Sequence, residues 1–302
     1  MHAWSLNYRD LRVMGGQYNP KMKLPIVPLS DGAGEVVEVG EGVARFKPDD
    51  RAIGCFMQKW VEGDIDDVKW NSALGGAIDG VAAEFCVFDE AGLSRIPDYL
   101  SYEEAAAMPC AAVTAWNALF ESGSMKPGET VLALGTGGVS IFALQLVRMA
   151  GGKIIITSSS DDKIARAREL GAHDAVNYST HPDWEKRVRE ITGGRGVDHV
   201  IEVGGAGTLA KSMRAVRTGG TISLIGLLAG NAEVNPTPLL MRSIRLQGIY
   251  VGSRTMMDRM LQAMTLRQLR PVIDRIFAFD EIQEAMSYME AGRHFGKICL
   301  RR

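Results

Sequence analysis

The sequence predicts an α/β protein in which a doubly wound parallel sheet follows an irregular β region. After Pro127, short apolar strands alternate with helices of ten or so residues, which is typical of βαβ units and a parallel sheet. Before Pro127, the apolar segments are shorter and are bounded by Gly, Pro and Asp. The length of 302 residues allows two domains.

The individual elements follow from hydrophobic periodicity and from capping residues. In the first region, strands are expected over 34–40, 51–56 and 82–88, and 60–80 is expected as a long loop. Ser101 with Glu104 forms a capping-box pattern that opens a helix, and a second helix is expected over 112–122. Beyond Pro127, strands are expected over 130–134, 153–157, 175–178, 199–203, 221–227 and 243–251, and helices over 139–150, 161–170, 184–192 and 208–216. The remainder is expected as helix 255–265, strand 273–278, helix 281–289 and strand 298–301.

Charge and cysteine content exclude several classes of function. The net charge of -2 is not the basic excess that a nucleic-acid-binding protein needs, so no nucleic-acid partner is expected. The four cysteines contain no CxxC pair, which argues against a disulfide framework or a zinc knuckle. No signal peptide is recognised, and the uncharged segment 131–147 is interrupted by glycines and too short for a membrane span. We therefore expect a cytoplasmic protein with no membrane partner.

A glycine-rich turn joins the first strand of the parallel sheet to its first helix. The turn has the pattern of a dinucleotide-binding motif, with Ser140 in place of the third glycine. The first glycine allows a tight turn, the second lets the backbone approach a pyrophosphate, and the helix N-terminus offers N–H groups and partial positive charge. The expected pyrophosphate-binding residues are Gly135, Thr136, Gly137, Gly138 and Val139.

The end of the second strand indicates which dinucleotide binds. An acidic residue there favours NAD, whereas hydroxyl groups and a lysine can hold a 2′-phosphate. Ser158, Ser159 and Lys163 therefore predict NADP, with NAD as the alternative. A purely structural interpretation also stands: Ser160 can cap the next helix, with acidic residues following it in the first turn.

Five segments in order carry a resemblance to a known family: 5–10 (SLNYRD), 31–40 (DGAGEVVEVG), 109–116 (PCAAVTAW), 135–140 (GTGGVS) and 295–298 (FGKI). On these segments the chain resembles the medium-chain dehydrogenase/reductase superfamily, and within it the zinc-free quinone-oxidoreductase-like branch. The resemblance implies a GroES-like β domain at 1–115 and 266–302, which carries the substrate site, and a Rossmann dinucleotide-binding domain at 116–265. It also implies a homodimer. Relatives carry additional β strands ahead of the first segment, so the chain is N-terminally shortened against the family pattern: either the start codon is misplaced or the first domain lacks an edge hairpin.

The resemblance also implies cofactor contacts outside the glycine turn. It places residues near the nicotinamide, near the adenine ribose and at the ends of the fourth and fifth strands. It also places a lysine of the final strand where it closes the nicotinamide pocket. These implied contacts are Thr114, Tyr178, Val203, Gly204, Gly226, Leu227, Val251, Gly252, Ser253 and Lys297.

Zinc alcohol dehydrogenases of the superfamily bind their catalytic metal through Cys, His and Cys. The resemblance places Asn7, Ser30 and Cys110 at those positions, so no metal is expected. Without a metal, a hydrogen-bond donor must stabilise the developing oxyanion and supply a proton. The spacing in zinc-free enoyl reductases implies Tyr18 as the first candidate for the proton donor. Tyr8 is the second candidate, and Asn7 would orient the substrate carbonyl. For both tyrosines the alternative is that they only line a cleft and pack there.

The expected function is that of an NAD(P)H-dependent, zinc-independent oxidoreductase. Its partners would be small molecules, namely a carbonyl, enone or quinone, or the corresponding alcohol. Two alternatives stay open at this point: a zinc-containing alcohol dehydrogenase, and a non-catalytic cofactor-binding protein.

Overall fold

The structure is a computed structural model that describes residues 1–19, 21–230 and 232–302. The chain divides into two compact units, Met1–Val113 with Val251–Arg302, and Thr114–Tyr250. The strands are β1 (Ala3–Ser5), β2 (Asp31–Glu35), β3 (Arg51–Gly54), β4 (Leu93–Arg95), β5 (Thr130–Ala133), β6 (Lys153–Ser158), β7 (Asp174–Asn177), β8 (Val197–Glu202), β9 (Val216–Leu224), β10 (Arg245–Gly248), β11 (Ile273–Ala278) and β12 (Lys297–Arg301). The helices are α1 (Tyr8–Met14), α2 (Asp67–Trp70), α3 (Tyr102–Ala106), α4 (Ala111–Trp116), α5 (Gly138–Met149), α6 (Asp161–Glu169), α7 (Trp184–Ile191), α8 (Ala206–Ala215), α9 (Thr237–Met241), α10 (Arg254–Leu266) and α11 (Ile282–Glu290).

The first unit contains a six-stranded sheet in the order β11-β12-β1-β2-β3-β4. β11 and β12 are parallel, and every other neighbouring pair is antiparallel. Trp4, Phe277 and Leu300 are buried in its core, and the Trp4 indole N–H donates to the carbonyl of Val81. Apolar residues from the first and last strands of the chain therefore form one core.

Two expected strands of the first unit differ from the structure. Only the first two residues of segment 34–40 belong to a strand, at the end of β2, and segment 82–88 forms no ladder within the described chain. Phe85 and Val87 are exposed on that segment, whereas Cys86 and Phe88 pack against the core, so the segment has inward and outward faces but no strand pairs with it among the described residues.

Helix α10 belongs to the first unit, although residues 251–265 were expected in the dinucleotide-binding domain. Its first turn is bonded to the segment after β3: the Arg254 N–H donates to Trp60 O over 2.9 Å, and the Thr255 hydroxyl donates to Val61 O over 2.8 Å. Ser94 Oγ donates to Asp258 over 2.6 Å, which joins the helix to β4. These contacts between residues far apart in sequence move the boundary to Tyr250.

The second unit contains a parallel sheet in the order β10-β9-β8-β5-β6-β7. The chain runs outward from β5 through β6 to β7, and then returns to β8 on the other side of β5. Such a reversal is the topological switch point at which doubly wound folds bind ligands, at the carboxyl ends of the strands. Leu132, Val200 and Ile222, on three neighbouring strands, are fully buried in the core. The α/β fold class, with a β-rich unit and a doubly wound parallel sheet, is confirmed.

Several local predictions are also confirmed. Ser101 and Glu104 make the reciprocal bonds of a capping box at the start of α3. The helix expected over 112–122 is α4 followed by a π-helical turn, Asn117–Glu121. Among the described residues, no helix has the length and apolar character needed to cross a membrane.

Candidate active site

The glycine turn of the second unit lies at the carboxyl end of β5, next to the switch point. Gly135 has a φ of 74°, a left-handed conformation that glycine adopts without strain, and its N–H donates to Thr157 Oγ1 over 3.2 Å. Ser140, at the third glycine position, is buried and donates to Leu134 O over 2.6 Å. The small hydroxyl therefore closes the turn against the strand that precedes it, and it permits the close packing of α5.

The start of α5 differs from the other helix starts at this edge of the sheet. Its N-cap is Gly137, which makes no side-chain capping bond, and Gly138 and Val139 form its first turn. Helix α6 is capped by Ser160, whose Oγ accepts from the Lys163 N–H. The carboxylate of Glu202 occupies the start of α8, as described next. The N-terminus of α5 thus carries no side-chain cap and no acidic residue in its first turn, which is the arrangement an anionic pyrophosphate needs.

Glu202, at the end of β8, is a buried residue that sequence reasoning missed. Its Oε1 accepts from the N–H groups of Gly204 and Gly205 over 2.8 and 3.0 Å, and from Thr208 Oγ1 over 2.6 Å. Ser212 Oγ donates to Oε2. The carboxylate therefore fixes the turn between β8 and α8, which includes the expected cofactor residue Gly204. The sequence held a signal for this role: Glu202 is followed closely by two glycines, and a hydroxyl residue, Thr208, stands six residues after it.

The residues expected to choose between NADP and NAD lie around the end of β6. Ser158 is buried and its Oγ accepts from the Ser160 N–H, while Ser159 is exposed and Lys163 is half-buried in the first turn of α6. Tyr178 is 42% exposed just after β7, and its N–H donates to Ser158 O over 2.9 Å. The structural interpretation of Ser160 as an N-cap is confirmed, and it coexists with a Ser159 hydroxyl that faces solvent.

The remaining expected cofactor residues of the second unit are near the ends of β8 and β9. Val203 and Gly204 follow β8, and the Gly226 N–H donates to the Glu202 carbonyl, which joins the two strand ends. Leu227 is exposed, and Thr114 is buried in α4. A Cβ at Gly226 would lie 2.3 Å from Val203 O, so the close approach of these two turns requires glycine there.

Val251, Gly252 and Ser253 lie in the first unit, directly before α10. Val251 has a φ of 57°, a conformation that is strained for a β-branched residue. A Cβ at Gly252 would lie 2.6 Å from a methyl carbon of Val113, and Ser253 Oγ accepts from the Met256 N–H as the N-cap of α10. Strain and close packing fix the backbone of this segment.

A buried polar network in the first unit contains Asn7, Ser30, Asp31 and Lys297. The Lys297 ammonium donates to Leu6 O and to Asn7 Oδ1, each over 2.7 Å, and lies 3.9 Å from Asp31 Oδ2. Ser30 Oγ donates to Asp31 Oδ1 over 2.8 Å. Lys297 was expected to close the nicotinamide pocket. The structure buries its ammonium among acceptors of the first unit, which compensate a charge that would be very costly if unpaired. Its contact with the nicotinamide stays a prediction.

The residues at the expected zinc-ligand positions do not fit a catalytic zinc ion. Asn7 and Ser30 offer a neutral amide and a hydroxyl, both engaged in the network, whereas zinc sites use thiolate, imidazole and carboxylate. Desolvation and then the nearby carboxylate of Asp31 raise the pKa of the Cys110 thiol, which opposes the thiolate form that binds metals. Among the described residues, no group of three or more His, Cys, Asp or Glu side chains is arranged to hold a metal ion.

The two candidate proton donors occupy different surroundings. Tyr8 is the first residue of α1 and is 48% exposed. Tyr18 follows α1 and is partly buried, and the guanidinium carbon of Arg9 lies 4.6 Å from the centre of its ring. Asn7, the N-cap of α1, is buried. The structure therefore brings Asn7 and Tyr8 together through α1, and brings Tyr18 next to Arg9 of the same helix.

Comparisons with known proteins agree with the fold of the two units. The model of the alcohol dehydrogenase GroES-like domain matches residues 1–98, and the model of the zinc-binding dehydrogenase family matches residues 138–265. A zinc-type alcohol dehydrogenase-like protein of Schizosaccharomyces pombe is 42% identical over 100% of this chain and 89% of its own length. The chain belongs to the medium-chain dehydrogenase/reductase superfamily.

Solved structures of the superfamily superpose on the whole chain. A putative alcohol dehydrogenase from Sinorhizobium meliloti 1021 is 40% identical, with a TM-score of 0.92 over 100% of this chain and 89% of its own. An NAD-dependent alcohol dehydrogenase is 33% identical, with a TM-score of 0.90 over 100% of this chain and 90% of its own. Relatives in the superfamily include both alcohol dehydrogenases and quinone oxidoreductase-like proteins. The chain is accordingly an oxidoreductase that uses a nicotinamide cofactor.

Proposed function

We propose that the chain is a zinc-independent, NADP-preferring oxidoreductase that transfers hydride to or from a small carbonyl, enone or quinone, or the corresponding alcohol. The observation that carries the proposal is the buried network in the first unit, in which Asn7 and Ser30 are bonded to their neighbours and Lys297 already supplies a cation. A zinc ion would need to displace these bonds and to lie close to a buried ammonium. This chemistry of the donor set supports the proposal of zinc independence.

The preference for NADP is supported by the surroundings of Ser159. No acidic side chain precedes it at the end of β6, and the exposed serine is followed by Lys163 in the first turn of α6. Asp161, which could repel a 2′-phosphate, accepts a hydrogen bond from Asn177 Nδ2 over 2.8 Å. A hydroxyl and a lysine suit a phosphate, whereas NAD binding favours a carboxylate that accepts from the ribose.

Proton transfer is assigned to Tyr18, with Tyr8 as the second candidate. NADPH supplies the hydride to carbon when it is bound. The Tyr18 hydroxyl donates its proton to the substrate oxygen, so that C=O becomes CH–OH, and the phenolate regains a proton from water. Asn7 lies at the N-cap of α1 beside the buried network, where its amide orients the substrate carbonyl.

The first experiment measures zinc content by atomic emission and NADPH oxidation over a panel of enones, quinones and aldehydes. We expect turnover with less than 0.1 zinc per chain, a limit set on the order of the metal background, and no loss of rate with a chelator. Stoichiometric zinc that is lost together with activity would instead identify a zinc alcohol dehydrogenase. NADPH binding without turnover across the panel would identify a non-catalytic cofactor-binding protein.

A second experiment tests the choice of cofactor by substitution at one position. Ser159→Asp places a carboxylate near the expected 2′-phosphate, and should weaken NADPH binding about tenfold or more while NADH binding is kept or improved. Ser287→Asp, on the exposed face of α11, is the matched control for added charge. Unchanged NADPH and NADH dissociation constants in Ser159→Asp would contradict the assignment.

We further propose a homodimer that forms through the edge strand β10. Among the described strands, β10 pairs with β9 alone, so its other edge has backbone groups available for a second copy. Leu240 and Met241, in α9 just before this strand, are highly exposed apolar residues. Light scattering at micromolar concentration should give twice the mass of the chain, and a monomer mass would contradict the proposal.

A further inference from the structure

Arg9 makes an unusual set of contacts in the first unit, and the inference drawn from them rests on the proposed role of Tyr18. Its guanidinium carbon lies 4.6 Å from the ring centre of Tyr18 and 4.9 Å from that of Phe56. Phe56 is only 2% exposed and is fixed in the core. Arg9 therefore connects the tyrosine ring to an aromatic side chain that is buried in the core.

The guanidinium is also anchored by backbone carbonyls. Nη1 donates to Leu74 O over 2.7 Å, and Nη2 donates to Gly75 O over 3.1 Å. The planar guanidinium can donate in its own plane while its faces stack on aromatic rings, which a lysine ammonium cannot do. These bonds hold the guanidinium in place over the Tyr18 ring.

Because Gly76 has no side chain, it leaves room for the Arg9 guanidinium and the Tyr18 ring. A Cβ at Gly76 would lie 2.1 Å from Arg9 Nη2 and 3.4 Å from Tyr18 Cε1. Its φ is outside the left-handed region, so alanine meets no backbone strain at this position. The atom in conflict is the end of a flexible side chain, and Gly76→Ala would therefore displace the guanidinium without requiring the fold to change.

Tyr18 lies between α1 and β2, in a part of the chain where the described residues form no helix or strand. Its position consequently depends on side-chain contacts rather than on a regular backbone. We propose that Arg9 is the positioning residue of Tyr18, that it holds the phenol ring in the geometry for proton donation, and that Gly76 is required for this stack.

The test compares Tyr18→Phe, Arg9→Met and the double variant in steady-state kinetics with the best substrate of the panel. Loss of a general acid lowers kcat on the order of 100-fold, and we expect about tenfold for Arg9→Met with the KM for NADPH unchanged. The double variant should be no slower than Tyr18→Phe, because Arg9 acts through the tyrosine. Arg9→Lys should not restore kcat, since it keeps the charge but loses the planar anchored stack.

Gly76→Ala provides an independent measurement on a chain that retains Arg9. It should lower kcat as Arg9→Met does, whereas Gly40→Ala, where an added Cβ meets no atom within 4 Å, should leave kcat unchanged. Circular dichroism and NADPH fluorescence titration check that each variant is folded and binds cofactor. If Arg9→Met does not fold, the comparison of Gly76→Ala in the presence and absence of Tyr18→Phe decides the question.

The outcomes separate the inference from the proposed function. If Arg9→Met slows the Tyr18→Phe variant as much as it slows the unmodified chain, Arg9 does not act through Tyr18 and the inference is overturned while the proton donor stands. If Tyr18→Phe leaves kcat unchanged, the proton donor and the inference both fail. Full recovery of kcat in Arg9→Lys would reduce the role of Arg9 to charge alone and would also overturn it.

Discussion

Replacing Glu202 by alanine should destabilise the second unit strongly, because the residue is fully buried and its carboxylate accepts four hydrogen bonds. The carboxylate accepts from the N–H groups of Gly204 and Gly205 and from the hydroxyls of Thr208 and Ser212. The Thr208 hydroxyl can turn to the Gly205 carbonyl, 3.3 Å away, but the two N–H groups are fixed by the backbone. Each buried donor left without an acceptor costs about 1–3 kcal/mol.

Two N–H groups without an acceptor therefore predict a loss of about 4 kcal/mol in the free energy of unfolding. The variant also no longer buries a charge, which offsets part of this loss and leaves about 3 kcal/mol. Glu202→Gln keeps an amide oxygen for the same N–H groups and should lose only about 1 kcal/mol. Urea unfolding followed by far-UV circular dichroism measures the difference. With a slope of about 3 kcal/mol per molar urea, the alanine variant should unfold about 1 M earlier than the unmodified chain.

The comparison between the two variants is the sensitive part of the experiment. If Glu202→Ala and Glu202→Gln unfold within about 0.2 M of each other, satisfaction of the two N–H groups is not what Glu202 contributes, and the reasoning fails. NADPH titration of both variants then reports whether the turn between β8 and α8 affects cofactor binding, as its expected contact at Gly204 predicts.

Three further predictions concern stability. Burial raises the pKa of Asp10 to about 6 from 3.8, so the folded chain binds this proton more tightly than the unfolded chain. The free energy of unfolding should therefore fall by up to about 3 kcal/mol as pH rises from 4 to 7. Asp10→Asn should remove that part of the pH dependence, which urea titrations at both pH values would measure. Ser160→Ala removes the cap of α6 and should cost about 1 kcal/mol in thermal unfolding with NADPH affinity unchanged, so a large loss of affinity would show that Ser160 does more than cap. Leu132→Ala, at a fully buried position of β5, should cost about 2–5 kcal/mol, and a cost below about 1 kcal/mol would mean that the site collapses around the smaller side chain.

The parallel sheet could be predicted from the sequence because its strands are buried on both faces. Continuous apolar runs such as the one in Lys153–Ser158 are read without knowing the partner strand, and the predicted end lies one residue from the observed one. The glycine turn could also be identified from the sequence, because its strand, turn and helix are contiguous in the chain.

The first unit could be predicted only in part, because its order depends on contacts between distant residues. Segment 82–88 has the composition of a strand, but composition does not show whether a partner strand is adjacent. The bond from Lys297 to Asn7 joins residues 290 positions apart, and only the fold reveals that the lysine is buried. Helix α1 was missed as well, although Asp10 stands three residues after Asn7 and accepts from the Asn7 N–H, as the acidic residue of a capping box does.

The pairing of β1 with β12 has a consequence for how the chain acquires its structure during synthesis. The second unit is one continuous stretch of sequence, and all of it is synthesised before β11 and β12 are made. The first unit is interrupted by that stretch, and its sheet lacks two of its six strands until β11 and β12 have been made. The nucleotide-binding half can therefore fold on the nascent chain, whereas the residues from 1 to 113 must remain incompletely paired and accessible to chaperones until Lys297–Arg301 emerges.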